Sequence, residues 1–183
     1  MKPPLAFDTP RLRLRPAVPD DAPAIFESYA RDAEVTRFVS WSVHPSVAVT
    51  RKFVEEYCVA GWAKGEVFSW LIRLAEGGDA AGMIDLRPVA TRVEVGYVLA
   101  RRYWRRGLMT EAARTVVEWA IAQPDVYRVW AVVDLENPAS QRVLEKAGMV
   151  REGVLRRWMS APSQGKVPRD VWCYARVKEG GRP

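Results

Sequence analysis

Residues 101–120 read RRYWRRGLMTEAARTVVEWA, and the change of character at Gly107 decides the fold. Ahead of the glycine, Arg101, Arg102, Arg105 and Arg106 crowd around two aromatics. Behind it, Met109, Ala112, Ala113, Val116, Val117, Ala120 and Ile121 repeat at helical spacing, with Glu111, Arg114 and Glu118 on the other side. Pro124 closes this helix. A helix start carries unpaired N–H groups and a partial positive charge, so it offers a seat to an anion such as phosphate. Gly107 permits close approach and the arginines add charge, but a simple turn before a helix fits these residues as well. The segment is no nucleotide-hydrolase loop, because GxxxxGK[ST] is absent, and no GxGxxG occurs anywhere in the chain.

Outward from this helix the chain alternates in an orderly way. Upstream, RLRLR (11–15) alternates as a half-buried strand, and Pro19 with Asp20 and Asp21 opens a helix to about Ala30. The irregular, aromatic stretch EVTRFVSWSVHP (34–45) leads to a second helix over 46–64. Strands follow at 67–74, 80–87 and 93–99, the first two joined by a turn at EGGD (76–79). Beyond the central helix, 126–133 is a continuous apolar strand of the buried kind. Asn137 then caps a short helix with Pro138 at its first position and Gly148 past its end. Two strands, at 150–157 and 167–177, finish the chain around the polar loop APSQGK. An antiparallel meander feeding a β-α-β unit makes an α+β (mixed α/β) sheet with helices on its faces, in one domain spanning 1–183.

Composition narrows the function. With 183 residues, 49% apolar and 27% charged, the chain suits a single globular core. No apolar run is long enough to cross a membrane and no secretory leader is visible, so the expected location is cytoplasmic. There Cys58 and Cys173 are expected as buried free thiols. A single histidine, His44, read as a surface loop residue, and the lack of Cys/His spacing lead us to expect no metal. The net charge of +6 fits an acidic ligand or mere solubility; no nucleic-acid module accompanies it, so neither nucleic acid nor membrane is an expected partner.

Five regions taken together resemble the GNAT acetyltransferases, in the branch that acetylates N-termini of ribosomal proteins (the Rim type). YWRRGLMTEA resembles the family's pyrophosphate loop, TPRLRLRPAVPDDAPAIF its opening strand and helix, and VEVGYVLA its fourth strand. ENPASQRVLEKAGM resembles the helix after its fifth strand, and REGVLRR with RDVWCYAR its closing strands. The resemblance implies about seven strands, mostly antiparallel, about four helices, and acetyl-CoA as co-substrate in a V between strands four and five. It implies backbone contacts from Val98 and Leu99 to pantetheine, with the oxyanion donor an N–H of one of them. Arg105, Arg106, Gly107, Leu108, Met109 and Thr110 would wrap the pyrophosphate, and Asn137 and Ser140 would reach the pantetheine and sulfur. Trp104 and Met109 depart from the wider family's pattern, and Met109 would crowd the loop.

The implied chemistry assigns further residues. Glu94 is the candidate base, against a solvated strand-face charge, with Asp85 in reserve. Ser140 is the candidate donor to the departing sulfur, against a plain first-turn serine. Trp41 falls in the segment that shapes the acceptor pocket, against a core or lid role. Asp170 is expected to pair with an arginine. An α-amine with pKa about 7.7–8.0 needs only a modest base, whereas a lysine near 10.4 costs roughly 4 kcal/mol to deprotonate. An N-terminal acceptor therefore needs only a modest base; the resemblance implies a protein or peptide N-terminal α-amine, with a small-molecule amine and a non-catalytic CoA-binding protein as the alternatives. Related enzymes are monomers or homodimers.

Overall fold

The computed structural model describes residues 1–180. Its elements are β1 (Phe7–Asp8), β2 (Leu12–Pro16), α1 (Ala22–Ile25), α2 (Val47–Phe53), α3 (Ala60–Lys64), β3 (Phe68–Leu74), β4 (Ala80–Val89) and β5 (Arg92–Leu99). After these come α4 (Leu108–Ile121), β6 (Arg128–Asp134), α5 (Pro138–Lys146), β7 (Val150–Met159) and β8 (Arg169–Val177). The turn Pro19–Asp21 and the π turn Phe26–Ala30 extend α1 into one body over 19–30, and the π turn Val54–Val59 fuses α2 with α3 over 47–64. Four helical bodies result, as expected. The strands number eight rather than seven: two-residue β1 pairs Phe7 with Leu14 at the sheet edge, too short to carry any periodicity. The last strand also starts at Arg169, later than expected, because Pro168 has no N–H for the ladder.

All eight strands form one sheet in the order β1-β2-β3-β4-β5-β6-β8-β7. Every neighbouring pair is antiparallel except β5 with β6. The alternation in RLRLR sends Leu12 and Leu14 fully into the core and leaves Arg13 outside. Arg15 turns back to Asp21 at 2.6 Å, and Asp21 also accepts the Val18 N–H, which ties the strand to the helix that follows.

The two sheet faces carry different helices. On β5, Glu94 faces the 47–64 helix, while Tyr97, three residues on and so on the opposite face, reaches α5. The apolar stripe of α4 is buried throughout (Met109, Ala112, Ala113, Val116, Val117 and Ala120), and Met109 lies in the main core. Cys58 and Cys173 are buried free thiols. Among the described residues no helix is long and apolar enough to cross a membrane.

Candidate functional site

Among the described residues the sheet has a single parallel pair, and it is short. β5 meets β6 at Arg92–Arg128, Val93–Val129 and Glu94–Trp130, and pairing stops there although the strands run on to Leu99 and Asp134. Beyond Glu94 the two strands part, and main-chain groups that a sheet would pair are left facing a V-shaped opening. Ala100 N–H donates to Ala81 O at 2.8 Å, so the antiparallel alternation points Val98 toward β4 and Leu99 away from it. Val98 O lies so close over Gly82 that a Cβ there would be 2.2 Å away. Leu99 O is taken by the Trp104 indole N–H at 2.8 Å. Of the two residues singled out by resemblance, the Leu99 N–H is therefore the one aimed at the opening.

At the rim of the V the chain passes Arg105, with φ of 61°, and Gly107, with φ of 73°, and enters α4. No side chain caps Gly107, so the Leu108, Met109 and Thr110 N–H groups open the helix without intrahelical partners. Left-handed residues just before a helix start turn successive N–H groups to one side, which is an anion-binding concavity. Met109 does not crowd the loop, because its side chain turns into the core. The four arginines divide: Arg101 pairs with Asp32 and Arg102 with Asp79, whereas Arg105 and Arg106 form no ion pair among the described residues. The loop is braced from behind by the N-terminal strands. Arg11 donates to Arg106 O at 2.9 Å, and Glu111 accepts from Thr9 Oγ1, Arg11 N and Arg11 Nε.

Against the other side of β5 lies a cavity of about 580 Å³. Its floor holds a charged cluster that follows from the β4–β5 register, in which Arg87 stands opposite Glu94 and Asp85 opposite Gly96. Arg87 donates to Glu94 through Nη2 at 3.0 Å and Nε at 3.4 Å, and to Asp85 and Tyr57 through Nη1. The guanidinium lies over Gly96, where a Cβ would come within 2.8 Å of Arg87 Nη1 and displace it. Burial pushes the Asp85 carboxyl up to about 6, with the Arg87 charge pulling the other way. Burial and the neighbouring Asp85 charge push Tyr57 up to about 12.

One wall of the cavity is an aromatic ladder. Trp41 packs on His44 at 5.1 Å, His44 on Phe53 at 5.6 Å, and Phe53 stacks on Tyr57 at 5.2 Å. Trp41 lines the cavity and packs on the core margin too. His44 is not the surface loop residue expected: it is half-buried in the wall, with Nδ1 2.9 Å from Thr50 Oγ1, and burial lowers its pKa. Two separate stretches, 41–44 and 53–57, build this wall, so nothing local in the sequence marked His44 as part of it.

Asn137 and Ser140 lie across β5 from the cavity. Asn137 Oδ1 accepts the Ser140 N–H at 3.1 Å, so Asn137 is the N-cap expected. Ser140 Oγ sits 2.7 Å from the Tyr97 hydroxyl. The buried Asp134, gripped by Arg169 and accepting the Glu136 N–H, fixes the turn from β6 into α5. Asp170 does meet an arginine, through the main chain: it accepts the Arg157 N–H at 2.9 Å, and Arg157 has φ of 51° at a break in the β7–β8 register. The structure thus joins Trp41, Asp85, Glu94 and Val98 at one cavity, places Arg105–Thr110 at the rim, and links Ser140 to the cavity through Tyr97. Tyr57, Arg87 and Tyr97 escaped sequence reading. Only Arg87 left a usable signal: a tight hairpin at Ala90–Thr91 sets it opposite Glu94.

Known proteins share this architecture. The sequence matches the acetyltransferase (GNAT) domain over residues 11–150. It is 32% identical over 175 residues to YoaA, an uncharacterized N-acetyltransferase of Bacillus subtilis, covering 94% of this chain and 96% of that protein. A GNAT-family acetyltransferase from Bacillus anthracis superposes with a TM-score of 0.81 at 26% identity, covering 96% of this chain and 99% of that one. RimL, a ribosomal L7/L12 α-N-protein acetyltransferase solved with coenzyme A, superposes with a TM-score of 0.80, covering 97% and 98% of the two chains; at 20% identity it shares the fold.

Proposed function

This chain belongs to the GNAT acetyltransferase family and is an N-acetyltransferase; we propose that it transfers acetyl from acetyl-CoA to a primary amine, a protein or peptide N-terminal α-amine, by direct attack in a ternary complex. The observation that carries this reading is the parting of β5 from β6 beyond Glu94, with an uncapped helix start at one end and half-buried carboxylates at the other. The donor supplies the activated acyl group. Its pyrophosphate suits the N–H groups of Leu108–Thr110 with the unpaired Arg105 and Arg106, and its pantetheine suits the edge of β5 at Leu99.

The residues of this chain then divide the work. The amine enters between the aromatic wall and the carboxylates, where the cluster of Asp85, Glu94 and Arg87 has room for one positive charge when both acids are ionised. Asp85 accepts the amine's proton, because a carboxyl near 6 is better matched to an α-amine than one at the ordinary value. Glu94, the first candidate from sequence, holds Arg87 in place and shares its charge. The amine nitrogen bonds to the acyl carbon, the Leu99 N–H meets the oxyanion, and the C–S bond breaks with its electron pair on sulfur. Ser140 offers that sulfur a hydrogen bond. The protein works in the cytoplasm, where its buried thiols stay reduced, as a monomer or homodimer.

The test is release of free thiol by the purified protein from acetyl-CoA, across peptides with free N-termini, the same peptides N-blocked, and small amines such as polyamines and aminoglycosides. Free-N-terminus peptides are expected to give the highest kcat/KM. Turnover confined to small amines overturns the acceptor assignment.

A further inference from the structure

Tyr97 belongs to neither the loop nor the carboxylate cluster, yet it joins the cavity to α5. It lines the cavity beside Gly96 and Val98, and its hydroxyl lies 2.7 Å from Ser140 Oγ and 3.2 Å from Ser140 O. The Ser140 N–H is already given to Asn137 Oδ1, so the helix holds the serine's main chain while Tyr97 holds its side chain. Burial raises the Tyr97 pKa, so the phenol keeps its proton at neutral pH.

A phenol has one proton to give, and two arrangements satisfy the distances. In one, Tyr97 donates to Ser140 O and the serine spends its own proton on Tyr97, leaving none for a ligand. In the other, Tyr97 donates to Ser140 Oγ and the serine proton is free to turn to the departing sulfur. The Oγ contact has the ordinary length of an O–H···O bond, and the carbonyl contact is longer than usual for one, which favours the second arrangement.

We infer that Tyr97 is a positioning residue for acetyl transfer: its phenol donates to Ser140 Oγ and thereby directs the serine hydroxyl proton at the thiolate leaving from acetyl-CoA. This rests on the reading of Ser140 as the hydrogen-bond donor to sulfur. No proton leaves Tyr97. The sulfur keeps the electron pair of the broken C–S bond, and the hydrogen bond from Ser140 is strengthened by the phenol behind it.

The experiment compares Tyr97→Phe, Ser140→Ala and the double variant in two readouts. One is steady-state kinetics. The other is the thiol pKa of coenzyme A bound to the resting protein, followed by thiolate absorbance against pH. Tyr97→Phe is expected to lower kcat by about three- to tenfold, the worth of one hydrogen bond, with KM for acetyl-CoA unchanged. It is also expected to raise the bound thiol's pKa, and to add nothing to either effect in the Ser140→Ala background. An unchanged or faster Tyr97→Phe beside a slow Ser140→Ala overturns the role of Tyr97 and leaves Ser140 standing. Equal losses from Tyr97→Phe in both backgrounds show a structural part only and overturn it as well. If Ser140→Ala changes neither readout, the reading of Ser140 falls and this inference with it.

Discussion

The two regions beside β5 are built by different means. At the rim proposed for the donor the site is main chain: two left-handed residues, an uncapped helix start and a strand edge that has lost its partner. At the cavity proposed for the acceptor it is side chain: an aromatic ladder from 41–44 and 53–57 set over an Asp–Arg–Glu cluster on the β4–β5 hairpin. A backbone site tolerates many side chains provided the dihedrals hold. A side-chain site changes with each substitution. The donor wall is accordingly sensitive to conformation and the acceptor wall to chemistry.

Removing the base is the strongest way to probe that difference. Asp85→Asn is expected to lower kcat by about a hundredfold or more, within the usual range for general-base catalysis, while the dissociation constant for CoA stays put. Glu94→Gln is expected to cost less. The Asp85 carboxyl gains its proton as pH falls through about 6, so wild-type kcat/KM should decline across that window, and the decline should vanish in Asp85→Asn. An unaltered acid limb in the variant would assign the titration elsewhere.

A middle-sized effect is expected on the donor wall. Gly107 has φ of 73°, and a Cβ there meets nothing closer than Arg11 Nη2 at 3.6 Å, so the obstacle to a side chain is the dihedral. Gly107→Val is expected to weaken CoA binding by about tenfold, in line with the 1–3 kcal/mol of a strained backbone. Calorimetry reads this directly, and an unchanged dissociation constant removes the loop from the pyrophosphate site. The smallest effect belongs to Trp41→Ala, which opens the far end of the ladder. It should raise KM for the acceptor severalfold, on the scale of about 1 kcal/mol for an aromatic contact, and spare CoA affinity. A matching loss of CoA affinity would show that the two walls are not separate.

The same division explains what could be read in advance. Helix α4, its glycine and the Asn137 cap are local patterns, with every partner within a few residues, and they appear where expected. Arg87 required the register of a hairpin, one step removed from pattern, and Asp85, named in advance, required it to be placed beside Arg87. His44 and Tyr97 required tertiary contacts over larger separations. His44 sits on Phe53 because a helix folds back over it, and Tyr97 meets Ser140 across 43 residues. The mistaken concern over Met109 has the same origin, since only packing shows its side chain turned inward.

By itself, then, the sequence determined the order of elements, the mixed sheet, the anion-ready start of α4 and, through the agreement of five regions, the family. Periodicity, caps and glycine dihedrals act over short range, and each leaves its mark in adjacent residues. The tertiary structure decided which carboxylate burial pushes upward, which of Val98 and Leu99 turns its N–H toward the V, and which rings line the cavity. Those properties arise from desolvation, strand register and the divergence of β5 from β6, and none exists until distant parts of the chain are brought together.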